Sequence, residues 1–530
     1  MTTEYVVVGG GINSLVAAAE LALAGHSVTI VEASGRLGGF IDSGELTLPG
    51  FVHDTFSSWH PNFVSSGAYA VLGDELHARG LVYENTTDAV TASVEGERVT
   101  IAQRDPEATA EGLEHGADRD AYREMLAWTE RYGRLIFGAL SSELTPFTLG
   151  RLGAGALRGG RRNTAALARQ ALMSGRAYTR SRFRGGDVDQ LWTPWLLHAG
   201  LGPDHATGGA MLPVMAAGLH GAGLPVVRGG ARRFVAAFES LLRDCGAEVH
   251  LSAPVDRVVL ERGRAVGVAS GDRMFRASRA VIAGTTPRDL YGSLLPKPAV
   301  PATVREEAAT FRFGRAAMQV HVALDRPLRW NDERLRAVPL VHISDGSGST
   351  GVACAQAEAG LLPSTPTVVV GQQSLLDESR APEGKATLWL QLQELPYAPA
   401  GDASAVLDTT QGWTRELTEG YVDRVLDRIE QHAPGARASV LEVTALSPVD
   451  LASANRNASF GDPYAGSTEI DQNLLWRPLP SAPRHRTHIP GLWHIGASTH
   501  PGPGLGAGSG HLAAQQLLRQ ARGRGRTVRR

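Results

Sequence analysis

The sequence predicts an α/β protein that contains a parallel sheet, and three features near its amino terminus support this prediction. Residues 4–8 are an apolar run typical of a buried strand, and residues 27–31 are a second such run. Between them lie a glycine turn and an alanine-rich segment, residues 14–24, typical of a helix that ends at Gly25. A strand, a turn, a helix and a second strand within about thirty residues form a βαβ unit, in which the strands are parallel.

Composition excludes several classes of protein. The chain has 530 residues, of which 43% are hydrophobic and 20% are charged, so it is long enough for at least two domains with large cores. Its net charge of −2 argues against a protein that binds nucleic acid along its whole length. Two cysteines, Cys245 and Cys354, are too few for a disulfide scaffold or a cysteine-rich metal site. No metal-ligand spacing is present, and we predict no metal site.

The rest of the chain predicts helices and short strands in alternating blocks. We expect helices over 107–140, 231–245 and 510–519, four or five strands between 246 and Ala283, a mixture of strands and loops over 301–479, and a strand over 493–497. Six arginines between Arg519 and Arg530 indicate a frayed tail.

A glycine turn between the first strand and helix is the first motif with chemical meaning. Gly9 permits a tight turn, and Gly11 has no side chain to block the approach of a pyrophosphate to the helix amino terminus. Ser14 is small enough for the helix to pack closely on the strand. Glu32 ends the second strand, where a carboxylate can accept hydrogen bonds from both hydroxyls of an adenosine ribose. This motif predicts a dinucleotide site.

The segment after Glu32 contains a second motif, Ala33-Ser-Gly-Arg36-Leu-Gly38-Gly39. A basic residue and a glycine pair at this point suit a cofactor longer than a nicotinamide dinucleotide. The run from Val6 to Asp54 resembles the amino terminus of FAD-dependent amine oxidases and phytoene desaturases. The resemblance implies that Gly9, Gly11, Ser14, Glu32, Ala33, Arg36, Gly38 and Gly39 bind FAD.

A third motif near the carboxyl terminus identifies the subfamily. The run from Gly491 to Gly510, which includes Gly496, His500-Pro-Gly502 and Gly504-Leu505, is similar to the closing motif of bacterial phytoene desaturases and of pyridine nucleotide-disulfide oxidoreductase domain 2 proteins. The resemblance implies that this motif passes the flavin ring and that Gly496, Gly504 and Leu505 contact FAD. It also places the backbone of Val255 beside the adenine.

This resemblance implies a discontinuous Rossmann-type FAD-binding domain and an α+β substrate domain made of an antiparallel sheet and helices. We predict that the FAD-binding domain comprises residues 1–85, 226–300 and 480–530. The substrate domain is then expected over residues 86–225 and 301–479.

The implied function is dehydrogenation of a C–C bond in a largely apolar or cyclic small molecule, with hydride transfer to flavin N5. FAD is expected to be noncovalent, because no cysteine follows Cys354. A flavin amine oxidase is an alternative, but the strand segment 313–322 lacks the lysine that many of those enzymes place near the flavin. A second alternative is a binder without enzymatic activity, similar to the Rab GDP-dissociation inhibitors.

Candidate residues for proton removal are His60 and His500, which lie in segments expected to approach the flavin. Trp59, Trp192 and Trp195 are candidates for lining an apolar substrate site. For each of these residues a structural role is the competing interpretation.

Residues 151–184 contain nine arginines and no acidic residue. As one helix, this stretch would have a basic face suited to an anionic membrane or an acidic substrate. We expect a small-molecule substrate, an electron acceptor such as oxygen, a quinone or another carrier, and no nucleic-acid partner; a homodimer is left open. The amino terminus lacks the pattern of a signal peptide, so a cytoplasmic location is expected, with peripheral membrane contact left open.

Overall fold

The computed structural model describes residues 2–158 and 160–527 of the chain. Two seven-stranded sheets organise these residues, and helices pack on both. The strands are β1 (Thr2–Val8), β2 (Val28–Val31), β3 (Ser43–Glu45), β4 (Val52–Asp54), β5 (Tyr83–Glu84), β6 (Ala89–Glu95), β7 (Arg98–Gln103), β8 (Val226–Val227), β9 (Glu248–His250), β10 (Arg257–Glu261), β11 (Arg264–Ser270), β12 (Arg273–Ala283), β13 (Ala316–Leu324), β14 (Leu340–Ile343), β15 (Leu361–Leu362), β16 (Val368–Gly371), β17 (Ala386–Leu395), β18 (Gly401–Asp402), β19 (Val440–Leu446) and β20 (Leu492–His494).

The helices vary widely in length, and a 3₁₀-helix follows the ninth of them, at Thr193–Ala199. They are α1 (Ile12–Leu23), α2 (Pro61–Val64), α3 (Gly67–His77), α4 (Pro106–Glu111), α5 (Gly116–Leu140), α6 (Pro146–Arg158), α7 (Arg161–Leu172), α8 (Gly175–Arg182), α9 (Asp187–Trp192), α10 (Gly208–Ala222), α11 (Arg232–Asp244), α12 (Pro287–Asp289), α13 (Ala302–Ala309), α14 (Ser347–Glu358), α15 (Arg415–His432), α16 (Ala436–Ser439), α17 (Pro448–Ala454) and α18 (Gly508–Thr527).

The first sheet has the strand order β10-β11-β12-β1-β2-β9, with β20 paired to β12. Strands β20, β12, β1, β2 and β9 are parallel, as the βαβ unit predicts. Helix α1 crosses from β1 to β2, and its side chains from Asn13 to Ala22 are all buried because α11 and α18 pack around it.

The second sheet has the order β19-β13-β17-β16-β14-β6-β7 and is antiparallel except for the β14–β6 pair. All nine residues of its central strand β13 are buried. Strands of the first sheet come from residues 2–31, 248–283 and 492–494, and strands of the second from 89–103 and 316–446. This arrangement is the mixed α/β class that the sequence predicts; the domain boundaries themselves stay predictions.

Three expectations about helices are wrong or incomplete. The stretch 107–140 is divided into α4 and α5, and 151–184 is divided among α6, α7 and α8. The last helix continues from Gly508 to Thr527, so the segment expected to fray is helical up to that point, and residues 528–530 lie outside the described residues. Within the described residues, no helix combines the length and apolar character needed to cross a membrane.

Candidate functional site

The parallel strands of the first sheet end at one edge, and this edge carries most of the predicted cofactor residues. Val8 lies in register with Val31 on one side and with Ala283 on the other, and Ala283 lies in register with His494. The carboxyl ends of parallel strands are where α/β folds bind their ligands. The segments that follow these four residues therefore face the same space.

The glycine turn after β1 is shaped for a close approach of a ligand to the backbone. Gly9 has a φ of +93°, which favours glycine, and its N–H donates to Val31 O. Gly11 caps α1 at a φ of −72° and no side chain caps the helix. A Cβ added at Gly11 would meet no protein atom within 4 Å. The amino terminus of α1 therefore offers N–H groups and open space to an anion.

Glu32 connects this turn to the segment that contains Val255. Its carboxylate accepts a hydrogen bond from the Gly10 N–H at 2.5 Å and another from the Ser34 N–H at 2.7 Å. Its carbonyl accepts from Ala253 N–H, which fixes the loop before the half-buried Val255. Each carboxylate oxygen can accept more than one hydrogen bond, so Glu32 retains capacity for ribose hydroxyls.

The second motif runs beside the glycine turn. Gly38 N–H donates to Gly10 O at 2.8 Å. A Cβ added at Gly39 would lie 3.3 Å from the Cα of Gly11, so the close approach of the two segments favours glycine at position 39. Arg36 donates to Gly39 O at 2.9 Å and pairs with Asp42, so this arginine stabilises the loop.

Ala33 and Ser14, two further predicted cofactor residues, differ in burial. Ala33 is exposed. Ser14 is buried against Gly284, where an added Cβ would lie 2.5 Å from the serine Oγ. Gly284 follows β12, and its carbonyl accepts a hydrogen bond from Asn457 Nδ2 at 2.9 Å. Sequence reasoning missed Gly284, although its position directly after a buried strand was a usable signal.

The C-terminal motif completes the edge. Gly496 has a φ of +122°, and its N–H donates to Ser509 Oγ at the start of α18. Gly510 lies against α1, and its N–H donates to Asn13 Oδ1 at 3.0 Å. The amino terminus of α18 thus lies beside that of α1.

Gly504 and Leu505 lie between these two points, in the connection that leads into α18. Gly504 is exposed and has a φ of +127°, whereas Leu505 is half-buried and packs against the core of the first sheet. A Cβ added at Gly504 would lie 3.4 Å from Asn62 Nδ2, so the connection runs close to α2.

Together these segments fit an elongated dinucleotide. They provide an uncapped helix amino terminus, an acidic residue at the end of the neighbouring strand, a glycine pair, and open backbone at Gly496, where an added Cβ would meet nothing closer than 3.8 Å. The residues present are consistent with FAD held by backbone N–H groups and by Glu32.

Buried arginine Arg477 supports the C-terminal turn and was not predicted as a site residue. Its guanidinium donates to Ala497 O at 2.7 Å and to Ser467 O at 2.9 Å. Burial lowers the pKa of Arg477 to about 10, and the charge of Asp462 acts in the opposite direction. The side chain therefore fixes the backbone directly after Gly496. The sequence offered the neighbouring Pro478 as its only signal.

The two candidate histidines are both buried. His60 is 0% exposed, shares a hydrogen bond with Tyr83 OH at 2.9 Å and packs against Phe234. His500 is 2% exposed, and its Nε2 donates to Ala139 O and Ser142 O, each at 3.0 Å. Burial lowers the pKa to about 3 for His60 and to about 4 for His500. Both are weak bases in these surroundings.

Trp59, Trp192 and Trp195 belong to one apolar cluster between the second sheet and the helices around α10. Trp192 is 0% exposed, so it is part of the core, whereas Trp59 is half-buried. Trp195 packs on a histidine pair that sequence reasoning missed: His198 and His342 lie 3.0 Å apart between their Nε2 atoms. Their separation in the chain left no local pattern to detect.

The arginine-rich stretch does not form the single basic face expected of it. Breaks near 160 and 173 divide it into three helices. Arg176 pairs with Asp204 at 2.6 Å, and the Arg182 guanidinium lies 3.9 Å from Glu124. The arginines of α6 and α7 that remain exposed are Arg151, Arg158, Arg162 and Arg169.

Two further classes of site find no support in the parts of the chain that the structure covers. Among the described residues, no group of three or more His, Cys, Asp or Glu side chains could hold a metal ion. Lys297 lies in a 3₁₀ turn. Lys385 lies in another turn, with its ammonium group over the ring of Phe51. Strand β13, where an amine oxidase lysine was considered, runs Ala-Ala-Met-Gln-Val-His-Val-Ala-Leu.

Comparison with known proteins agrees with this geometry. Residues 15–518 match the family model described as flavin containing amine oxidoreductase. Mouse pyridine nucleotide-disulfide oxidoreductase domain-containing protein 2 is 27% identical over 308 residues, which is 55% of this chain and 51% of the mouse protein. The chain therefore aligns with about half the length of this relative.

Two further comparisons cover nearly the whole chain. Hydroxyneurosporene desaturase of Cereibacter sphaeroides is 27% identical over 99% of both chains. The crystal structure of an oxidoreductase from Methanosarcina mazei superposes with a TM-score of 0.64, covers 97% of this chain and 100% of its own, and is 16% identical. At that identity the structural match supports the fold alone.

Proposed function

The chain belongs to the flavin containing amine oxidoreductase family, and from this premise we propose that it is an FAD-dependent dehydrogenase that desaturates a C–C bond of a largely apolar or cyclic small molecule. The observation that carries the proposal is the shared strand edge at which Gly9–Gly11, Glu32 and Gly496 meet. FAD supplies the hydride acceptor, flavin N5, when it is bound.

Two features of the second sheet and the helices beside it favour desaturation over amine oxidation. Strand β13 has no lysine, and the half-buried Trp59 belongs to the same apolar cluster as Trp195. Such a cluster suits an uncharged substrate, because an ammonium group would lose its hydration there without a partner. The desaturase from Cereibacter sphaeroides is related to this chain over its whole length. These features support the proposal.

Proton removal from the carbon next to the hydride donor requires a base or water. His500, at Nδ1, and His60, at Nε2, each have a ring nitrogen with no hydrogen-bond partner among the described residues. Their lowered pKa values of about 4 and about 3 make them poor bases at neutral pH. Because both rings are buried and hydrogen-bonded to the surrounding protein, we favour a positioning role for both histidines.

Anaerobic mixing of the FAD-loaded protein with candidate substrates tests the proposed reaction. Bleaching of the flavin is expected with a terpenoid, a carotenoid or a cyclic ketone, and not with primary amines. Bleaching by amines alone would favour the amine oxidase alternative. A colourless protein that cannot take up FAD would favour the flavin-free binder. Reoxidation of the bleached protein by oxygen or by a quinone then distinguishes the acceptors.

We also propose that FAD is noncovalent. Cys354 lies in α14 and Cys245 at the end of α11, so neither cysteine belongs to the C-terminal motif. Acid precipitation should release the flavin into the supernatant. Flavin that stays on the pellet would contradict this part of the proposal.

A reversible membrane contact through α6 and α7 is the second part of the proposal. These helices expose Phe147 at 80%, Leu157 at 58% and Leu172 at 65%, together with four exposed arginines. Exposed apolar side chains beside cations suit the surface of an anionic bilayer, where each arginine contributes about 1 kcal/mol. An apolar substrate, which is scarce in water, would be available there.

Co-sedimentation with liposomes tests this contact. The protein should pellet with phosphatidylserine-containing vesicles at low salt, and less at 1 M salt, where the Debye length is about 3 Å. Phe147→Ser should weaken pelleting, whereas Val406→Ser, at a site 77% exposed elsewhere, should not. Equal pelleting with neutral and anionic vesicles, or none with either, would contradict the proposal.

A further inference from the structure

The connection between α5 and α6 is joined to the C-terminal turn by a ring of buried hydrogen bonds. His500 Nε2 donates to Ala139 O and Ser142 O, which are carbonyls at the end of α5. His485 Nε2 donates to His500 O at 2.9 Å. Glu143 closes the ring, because its Oε1 accepts from the His485 N–H at 2.9 Å and lies 3.3 Å from His485 Nδ1.

The two ring nitrogens of His485 face different parts of the chain: Nε2 faces the His500 carbonyl and Nδ1 faces the Glu143 carboxyl group. The His485 side chain is 1% exposed and that of Glu143 is 14% exposed. A buried histidine therefore links this carboxyl group to the backbone at the base of the C-terminal turn.

The surroundings of the pair shift the pKa values of Glu143 and of two neighbouring histidines. Burial acts to raise the pKa of Glu143, but the hydrogen bonds and charge of His485 outweigh burial, and the pKa lies below its usual value. Burial and then the positive charge of His485 lower the pKa of His500 to about 4. His494 is also neutral, because its burial lowers its pKa to about 4. Glu143 is thus ionised at neutral pH.

We infer that Glu143 and His485 are a positioning pair, which holds the His500–Gly502 turn against the end of α5 and so sets the position of that turn relative to the flavin. The inference rests on the proposed function in one respect, namely that this turn faces FAD. Glu143 also lines a groove of about 670 Å³ with Thr145, His511 and Arg519. Water can therefore reach Glu143 from that side.

The test replaces the charge of Glu143 while keeping its shape. Glu143→Gln should raise the dissociation constant for FAD about tenfold. It should also shift the visible absorption band of bound flavin and lower its midpoint potential, because backbone N–H groups that stabilise reduced flavin are displaced. Glu143→Asp keeps the charge and should lie between wild type and Glu143→Gln. Glu130→Gln, an exposed change on α5, is the matched control and should have no effect.

Several results would overturn the inference. One is a wild-type absorption spectrum and midpoint potential in Glu143→Gln. Another is the same FAD dissociation constant, spectrum and potential in Glu143→Asp as in Glu143→Gln. A third is a loss of FAD that only follows a fall in the thermal midpoint of the flavin-free protein. If Glu143→Gln does not fold, the two single variants Glu143→Asp and His485→Gln replace it. A wild-type spectrum and potential in both of them would overturn the inference. Failure of the wild-type protein to bind FAD would instead contradict the proposed function.

Discussion

Arg380 and Asp54 form an ion pair in the interior of the protein, with 3.0 Å between Arg380 Nη1 and Asp54 Oδ1 and side-chain exposures of 1% and 0%. Asp377 pairs with the same guanidinium at 2.8 Å, and Arg380 Nη2 donates to Val227 O at 2.8 Å. Asp54 also accepts from the Ala231 N–H, and Asp377 from the Gly229 N–H. The group therefore joins three distant segments of the chain.

Arg380→Ala should lower the free energy of unfolding by about 3–5 kcal/mol, because it leaves two buried carboxylates without their cation. Arg415→Ala is the control, since Arg415 is 84% exposed and its pair with Glu419 should contribute less than about 1 kcal/mol. Urea unfolding at a fixed FAD concentration measures both. Similar losses in the two variants would show that the buried group contributes no more than a surface pair.

Gly11→Ala should reduce FAD binding without destabilising the flavin-free protein. Gly11 has an ordinary φ of −72°, and the added Cβ meets no protein atom, so only a ligand at this position would collide with it. We expect the dissociation constant for FAD to rise at least about tenfold and the thermal midpoint of the flavin-free protein to stay unchanged. Gly153→Ala on α6 also has open space around its Cβ and serves as the control. Normal FAD binding by Gly11→Ala would contradict the assignment of the pyrophosphate to this turn.

Glu32→Ala should weaken FAD binding by a few kcal/mol, since two charge-assisted hydrogen bonds to the ribose contribute about 1.5–3 kcal/mol each. This corresponds to at least about a hundredfold rise in the dissociation constant, measured by flavin fluorescence. Glu97→Ala, at an exposed position between β6 and β7, should bind FAD normally. If FAD occupancy of Glu32→Ala matched wild type, another residue would have to hold the ribose.

His500→Ala should reduce FAD content more than it slows reduction of the flavin that remains bound. The ring donates to two carbonyls at the end of α5, so its loss frees the turn. The flavin-to-protein ratio and rapid-mixing reduction rates, measured on the same preparation, separate the two effects. Full FAD content with slow reduction would instead assign His500 to the chemistry.

Stability should fall as the pH drops from 7.5 to 5.5. Burial lowers the pKa values of six histidines to about 3 or about 4, below the value near 6.5 expected in the unfolded chain; they are His53, His60, His198, His321, His494 and His500. The unfolded state therefore binds more protons in this range, and acid favours unfolding. Each histidine that stays neutral in the folded protein lowers the free energy of unfolding by about 1.4 kcal/mol over this interval. For all six the upper limit is about 8 kcal/mol.

Urea unfolding at the two pH values measures this loss. Most carboxylates remain ionised in both states above pH 5.5, so the histidines dominate the difference. His321→Leu removes one of the six and should reduce the loss by about 1.4 kcal/mol. Equal stability at both pH values would mean that these histidines titrate in the folded protein as they do in the unfolded chain.

Local sequence determined the βαβ unit of the first sheet. A buried strand, three glycines and a helix restrict the backbone within a few residues, so the sequence alone predicts a shared site for Gly9, Gly11 and Glu32. The fold class followed from the same periodicity. The C-terminal motif could also be predicted from the sequence, because its glycines set the backbone conformation locally.

Tertiary structure alone decided which charges and histidines are buried together. Glu143 and His485 are separated by 342 positions in the chain, and no local pattern indicates that they meet. The buried group of Arg380 likewise depends on which segments pack around it. The same applies to His500, whose sequence suggested a base near the flavin and whose burial lowers its pKa to about 4. Protonation depends on desolvation and on neighbouring charges, and these are set by packing between distant parts of the chain.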